Sequence, residues 1–139
     1  MSKLEEWHDN HSVSMIGYHI VWCTEYRKPV LKDGVDVIVK QTIAQTCTDN
    51  EWALRSIEVM PDHVHMFIQV HPADSPVNVV KTLKSTSAIA AFCTFPDLKG
   101  KKFWGCGLWS RGCYYGSVGQ ISQETVERYI EMQKKKGTP

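Results

Sequence analysis

Two short constellations in this chain have the residue types and spacing for metal-assisted phosphate chemistry. The first is His63-Val64-His65. In a strand, successive side chains point to opposite faces, so both imidazoles share one face. Val64, Met66, Ile68 and Val70 share the other. That set is uniformly apolar and must face the covering helices, which leaves the histidines on the opposite face with Phe67 and Gln69. Two histidines at i and i+2 make a natural pair of metal ligands. They also fit an idle, exposed sheet face. The second constellation is Tyr129 with Gln133, four residues apart and stacked on one helix face beside Val126 and Ile130. The plain alternative is a tyrosine buried in a helix–sheet contact.

Together the four residues have a chemical logic. Two imidazoles and an amide oxygen can hold a divalent cation while leaving positions open, and the cation polarises a phosphate oxygen. A phenol is a nucleophile that gives a covalent intermediate. A phosphotyrosine link keeps the energy of the phosphodiester, so strands can be rejoined without ATP.

The elements that must position these groups follow from periodicity. Residues 13–24 read as a strand, apolar on both faces and therefore central in its sheet. Asp33 is the expected N-cap of a helix over 34–48, with Val35, Ile38, Val39, Thr42 and Ile43 at helical spacing. Strands follow at 51–59 and 63–70, broken by Pro61-Asp62. Ser75-Pro76 starts a helix running to about Phe92. Residues 96–112 read as a Gly- and Lys-rich loop and 113–118 as a fourth strand. Ser122 then caps a last helix to about Lys136. The order is βαββαβ plus a C-terminal helix: an α+β, ferredoxin-like (RRM-like) antiparallel sheet whose extra helix carries Tyr129. Two core helices cover one sheet face, so the last helix has the histidine face available. Residues 1–12 read as a loose N-terminal arm and 13–137 as a single domain.

With 139 residues, 42% of them apolar and 22% charged, the chain fits one globular domain. No apolar run approaches the length of a membrane span, and the N-terminus has no signal-like apolar region. A cytoplasmic protein is expected. The five cysteines are odd in number and form no CxxC, which argues for reduced thiols over disulfides or a zinc knuckle. Net charge is only +1, but it is unevenly spread. Residues 1–75 carry six Lys/Arg against eleven Asp/Glu; residues 76–115 carry six against Asp97 alone. That asymmetry makes either a basic patch or a solvated lysine face.

With these residues in hand, the chain resembles the single-tyrosine HUH transposases of the insertion sequence 200/605 family over roughly residues 14–135. Tyr18-His19-Ile20-Val21-Trp22-Cys23-Thr24-Glu25-Tyr26-Arg27 resembles the family's first strand and turn. Glu58-Val59-Met60-Pro61-Asp62-His63-Val64-His65 resembles its metal motif, and Val80-Lys81-Thr82-Leu83-Lys84-Ser85 its second helix. Leu108-Trp109 and Tyr129-Ile130-Glu131-Met132-Gln133 resemble its C-terminal part. The resemblance implies a transposase that cleaves and rejoins single-stranded DNA through a 5′-phosphotyrosine on Tyr129. It implies Mg2+ or Mn2+ held by His63, His65 and Gln133. It also implies a homodimer that recognises DNA hairpins at element ends. The chain departs from the family at Ser87-Ala88-Ile89-Ala90-Ala91, where an arginine is common, and in its longer N-terminal arm.

The basic segment gains a role in this light. Lys81 and Lys84 lie on one helix face, and Lys99, Lys101, Lys102 and Arg111 sit in loops near Phe103, Trp104 and Trp109, a mixture suited to phosphate contact and base stacking. Arg27 and Lys28 are further DNA-binding candidates. Each tryptophan also fits a core position. The short link Gly119-Gln120-Ile121 lets the last helix fold onto its own sheet or cross to a partner's, and the resemblance favours crossing. The alternative to an enzyme is a non-enzymatic ferredoxin-like module that binds single-stranded nucleic acid on its open sheet face.

Overall fold

The computed structural model describes residues 15–100, 107–117 and 127–133. The expected arm at 1–12 lies outside them, as do Lys101, Lys102, Phe103, Trp104, Ser122 and the lysines at 134–136. Elements run β1 (Ile16–Cys23), α1 (Val35–Asp49), β2 (Ala53–Met60), β3 (His63–Val70), α2 (Pro76–Thr94) and β4 (Tyr114–Ser117). Residues 127–133 are helical. The sheet order is β2-β3-β1-β4, with every neighbouring pair antiparallel. This is the ferredoxin-like arrangement that the order of elements predicts. β1 is central, as its two apolar faces require.

The core lies on one side of the sheet. Ile20 and Trp22 from β1, and Val64, Met66, Ile68 and Val70 from β3, pack against Val39, Ile43 and Cys47 of α1 and Val79, Val80 and Leu83 of α2. The alternation along β3 is complete: each of the four apolar residues is buried and each residue between them is partly exposed. The hydroxyls of Thr46 and Thr86 lie 3.0 Å apart between the two helices. Ser75 caps α2 as predicted, its hydroxyl accepting from the Asn78 N–H at 3.1 Å.

One boundary is corrected. Asp33 is not the N-cap of α1; Gly34 is. Asp33 has φ 55° and Gly34 φ 100°, so the chain makes a left-handed entry that a glycine accommodates. Asp36 Oδ1 accepts the Gly34 N–H instead. A side chain at position 34 would also meet the Phe95 ring, whose Cζ would lie 3.0 Å from its Cβ. Within the stretch read as loop, Pro96–Leu98 form one helical turn. Trp109 pairs with Thr24, extending the β4 side of the sheet along the end of β1.

Candidate functional site

The register of β1 on β3 sets Cys23 opposite His63, Val21 opposite His65 and His19 opposite Phe67. β2 adds Glu58 opposite His65, and β4 adds Tyr114 opposite Val21. All of these share the face turned away from the core. Val21 and Cys23 are nonetheless fully buried.

The C-terminal segment lies on this face. The Tyr129 ring lies 6.3 Å from the Tyr114 ring, centroid to centroid. Burial, followed by the neighbouring Cys23 and Cys113 thiols, pushes the Tyr129 phenol well above its ordinary range. The Ile130 carbonyl accepts a hydrogen bond from Arg27 Nη1 at 3.2 Å. The helix therefore docks on the histidine face of its own chain.

At the other end of this contact, Arg27 Nε donates to Asp62 Oδ2 at 2.9 Å, and Nη2 donates to the same oxygen. Asp62 Oδ1 lies 2.8 Å from His63 Nδ1. Burial alone would raise the Asp62 carboxyl, but hydrogen bonds from His63 and Arg27, with their charges, hold it below its ordinary value. An ionised carboxylate accepts a hydrogen bond from Nδ1–H, which leaves Nε2 as the ring's electron-pair donor. His65 is held below its ordinary value by burial first and by the charge of His19 second, with Glu58 opposing. Its ring lies 5.7 Å from that of His19, which stacks at 5.0 Å on Phe67.

Two oxygens on the helix are conspicuous. Tyr129 Oη and Gln133 Oε1 are buried and have no hydrogen-bond partner among the described residues. A buried polar atom left so costs about 1–3 kcal/mol, which a ligand at that place would offset. A carbonyl oxygen suits Mg2+ or Mn2+, and neutral imidazoles suit the transition metal better. The donor set fits a divalent cation on those grounds. Among the described residues, no three His, Cys, Asp or Glu side chains converge as ligands.

The DNA-binding candidates fare differently. Arg27 is turned inward, its side chain 17% exposed, in a backbone turn where Tyr26 and Arg27 have φ 57° and 52°. Such conformations cost of order 1–3 kcal/mol each and persist where the surroundings fix them. Lys84 donates to the Ser110 carbonyl at 2.8 Å and to that of Gly112, holding the loop before β4. Lys28 lies over the Tyr26 ring at 5.8 Å. Lys81 and Arg111 are exposed. Trp109 is a core residue: its ring meets Trp22 edge-on and its Nε1 donates to Ser87 Oγ at 3.1 Å.

Sequence reasoning assigned no role to Asp62, His19 or Glu58. Asp62 was readable as a carboxylate next to a candidate ligand, but its Pro-Asp setting signals a turn first. His19 is brought to His65 by strand pairing, which no local pattern reveals.

Comparison with known proteins points one way. Residues 12–133 match the family model described as transposase, IS200-like. The ISDra2 transposase TnpA of Deinococcus radiodurans is 34% identical over 124 residues, covering 89% of this chain and 88% of the relative. The transposase for insertion sequence element IS200 of Salmonella typhimurium is 28% identical, covering 84% and 75%. A crystal structure from Deinococcus radiodurans R1 superposes with TM-score 0.83 at 34% identity, covering 91% of this chain and 97% of that one. The fold also matches, with TM-score 0.57 and 12% identity, a tyrosine transposase bound to a REP hairpin; 90% of this chain and 68% of that one are covered.

Proposed function

This chain belongs to the family of IS200-like transposases, and on that footing we propose that it cuts and rejoins single-stranded DNA with Tyr129 as the nucleophile. The observation that carries the reading is the pair of buried, unpartnered oxygens of Tyr129 and Gln133. They lie on a helix tied through Arg27 and Asp62 to His63.

The chemistry follows from the groups. Tyr129 Oη attacks the phosphorus, forming the Tyr–O–P bond and breaking the bond to the 3′ oxygen. The phenol proton departs, and the leaving 3′ oxygen takes up a proton. The strand remains attached to Tyr129 by its 5′ phosphate, and attack by a 3′ hydroxyl reverses the step. His63, His65 and Gln133 would hold Mg2+ or Mn2+, which when bound draws electron density from the phosphate and offsets the negative charge of the transition state. Burial disfavours the phenolate form of Tyr129, so loss of the proton must accompany the attack. Asp62 fixes the ring orientation of His63.

The substrate class in this reading is a hairpin-bearing single strand from the element's ends, contacted by Lys81 and Arg111. Lys101 and Lys102 remain candidates. The assembly is a homodimer in which a second copy's helix can fill the same docking surface. No helix among the described residues is long and apolar enough to cross a membrane. The test is incubation of the protein with a single-stranded hairpin from its gene's own flanks plus Mg2+. A covalent protein–DNA adduct is expected. Hairpin binding with no adduct would favour the non-enzymatic binding module instead.

A further inference from the structure

The turn after β1 and the β2–β3 turn are joined where the C-terminal helix docks. The Thr24 N–H donates to the Asp62 carbonyl at 3.0 Å, and its hydroxyl donates to the Lys28 carbonyl at 2.8 Å. Between those anchors, Tyr26 and Arg27 adopt left-handed backbone that neither side chain favours. The consequence is an inward-facing guanidinium. On one side it grips the carboxylate that orients His63. On the other it reaches a backbone carbonyl 103 residues away, next to Tyr129.

We propose that Arg27 is a positioning residue: a latch that seats the tyrosine-bearing helix and, through Asp62, sets the orientation of His63 in the same act. The inference rests on the reading of Tyr129 and His63 given above. It replaces phosphate contact as the role of Arg27, because Nε, Nη1 and Nη2 each donate to an acceptor inside the protein. Arginine suits the task through its planar fork, which serves two acceptors at once; a lysine offers a single point charge. The latch holds no covalent link to the helix. It can therefore release and recapture it, or capture the same carbonyl on a second copy.

The experiment uses the full-length chain and three readouts: amide hydrogen exchange in residues 127–133, affinity for the hairpin, and rate of covalent attachment. The variants are Arg27→Lys, Arg27→Ala and Asp62→Asn. Losing hydrogen bonds to a charged partner is expected to speed exchange in 127–133 about tenfold or more and to slow attachment at least as much. Hairpin affinity stays unchanged, and Arg27→Lys, which keeps a cation and a donor, retains part of the protection. Unchanged exchange in all variants would overturn the latch. So would a loss of hairpin affinity with exchange intact, which would return Arg27 to phosphate contact. If Arg27→Ala fails to fold by circular dichroism, Asp62→Asn decides, since it keeps the side-chain shape and an acceptor for His63. If the unaltered protein forms no adduct, the proposed function fails, while the exchange arm still decides the latch.

Discussion

Tyr129 Oη and Gln133 Oε1 stand one helical turn apart, both buried and both without a hydrogen-bond partner among the described residues. A helix that merely closed a sheet face would carry apolar groups there. Tyr129→Phe removes only one of these oxygens. It is expected to abolish covalent attachment while leaving hairpin affinity unchanged. Removing an unsatisfied buried hydroxyl should also leave the thermal midpoint unchanged or raise stability by about 1 kcal/mol. Gel assay for the adduct and a thermal melt check both parts. An adduct formed by the Phe variant would move the nucleophile elsewhere, with Tyr114 and Tyr115 next in line.

Metal use should depend on the ligands unequally. EDTA, His63→Ala or His65→Ala is expected to stop cleavage, whereas Gln133→Ala weakens it less because water can replace a neutral ligand. The pH dependence has a definite sign. His65 lies below its ordinary 6.5 in the folded chain, through burial first and the charge of His19 second. The ring therefore stays neutral as pH falls through 6.5, and Mn2+ affinity should hold there and drop only below it. The stability contribution has the same sense: present above 6.5, lost as pH falls through the folded value. His19→Gln removes a repelling charge and should move the loss of Mn2+ binding to higher pH. Titration by paramagnetic resonance across a pH series reads both curves; identical curves would refute the coupling.

Much of this was legible in the sequence because it is periodic. The alternation of 63–70 predicted which face of β3 is buried, and the apolar faces of 13–24 predicted a central strand. Ser75-Pro76 carried its own start signal. What was hidden depends on pairing across the chain. His19 meets His65 only through the β1–β3 register. Arg27 is an ordinary surface arginine in sequence, and only the Tyr26–Arg27 backbone turns it towards Asp62. The cap at Gly34 escaped because Asp33 is itself a good cap residue, and the Phe95 ring that crowds a side chain at position 34 is distant in sequence.

The core predicts its own chemistry. Cys93 is exposed, while Cys47 is buried and its thiol is pushed up to about 12. At pH 8 a maleimide should label Cys93 quickly and Cys47 only on unfolding. Because the folded value lies above the ordinary 9.0, the contribution of Cys47 to stability is intact below 9.0 and lost as pH rises through about 12. Ile43→Ala, at a fully buried position beside the same helix contact, should cost about 2–5 kcal/mol and speed Cys47 labelling. Fast labelling of Cys47 in the unaltered protein would mean that α1 is not packed as described.

Substrate preference follows from which cations are free to act. Cleavage of single strands with little cleavage of perfect duplex is expected, and salt should weaken binding. Lys81 is exposed, so Lys81→Ala should lower the slope of log affinity against log salt by about 0.7 if it touches one phosphate of a single strand. Lys84→Ala should act otherwise: its ammonium holds the Ser110 and Gly112 carbonyls, so the loss appears first as faster exchange in that loop. Equal cutting of duplex, or an unchanged slope for Lys81→Ala, would contradict the arrangement.

The last prediction concerns where the helix docks when two copies are present. In one chain, the docking surface includes Arg27, Tyr114 and the buried Cys23, and the chain's own Tyr129 and Ile130 occupy it. Every contact to the helix there is non-covalent, so a second copy's helix presents the same groups to the same surface. Mixing His63→Ala/His65→Ala protein with Tyr129→Phe protein therefore offers a test that neither variant can pass alone. If helices exchange, heterodimers contain one site with intact histidines and an intact tyrosine, and cleavage returns to roughly half the level of the unaltered dimer or less, one site of two being whole. Recovery should require time for subunit exchange. Heterodimers that are demonstrably present yet never cut would mean that each helix serves only the sheet of its own chain.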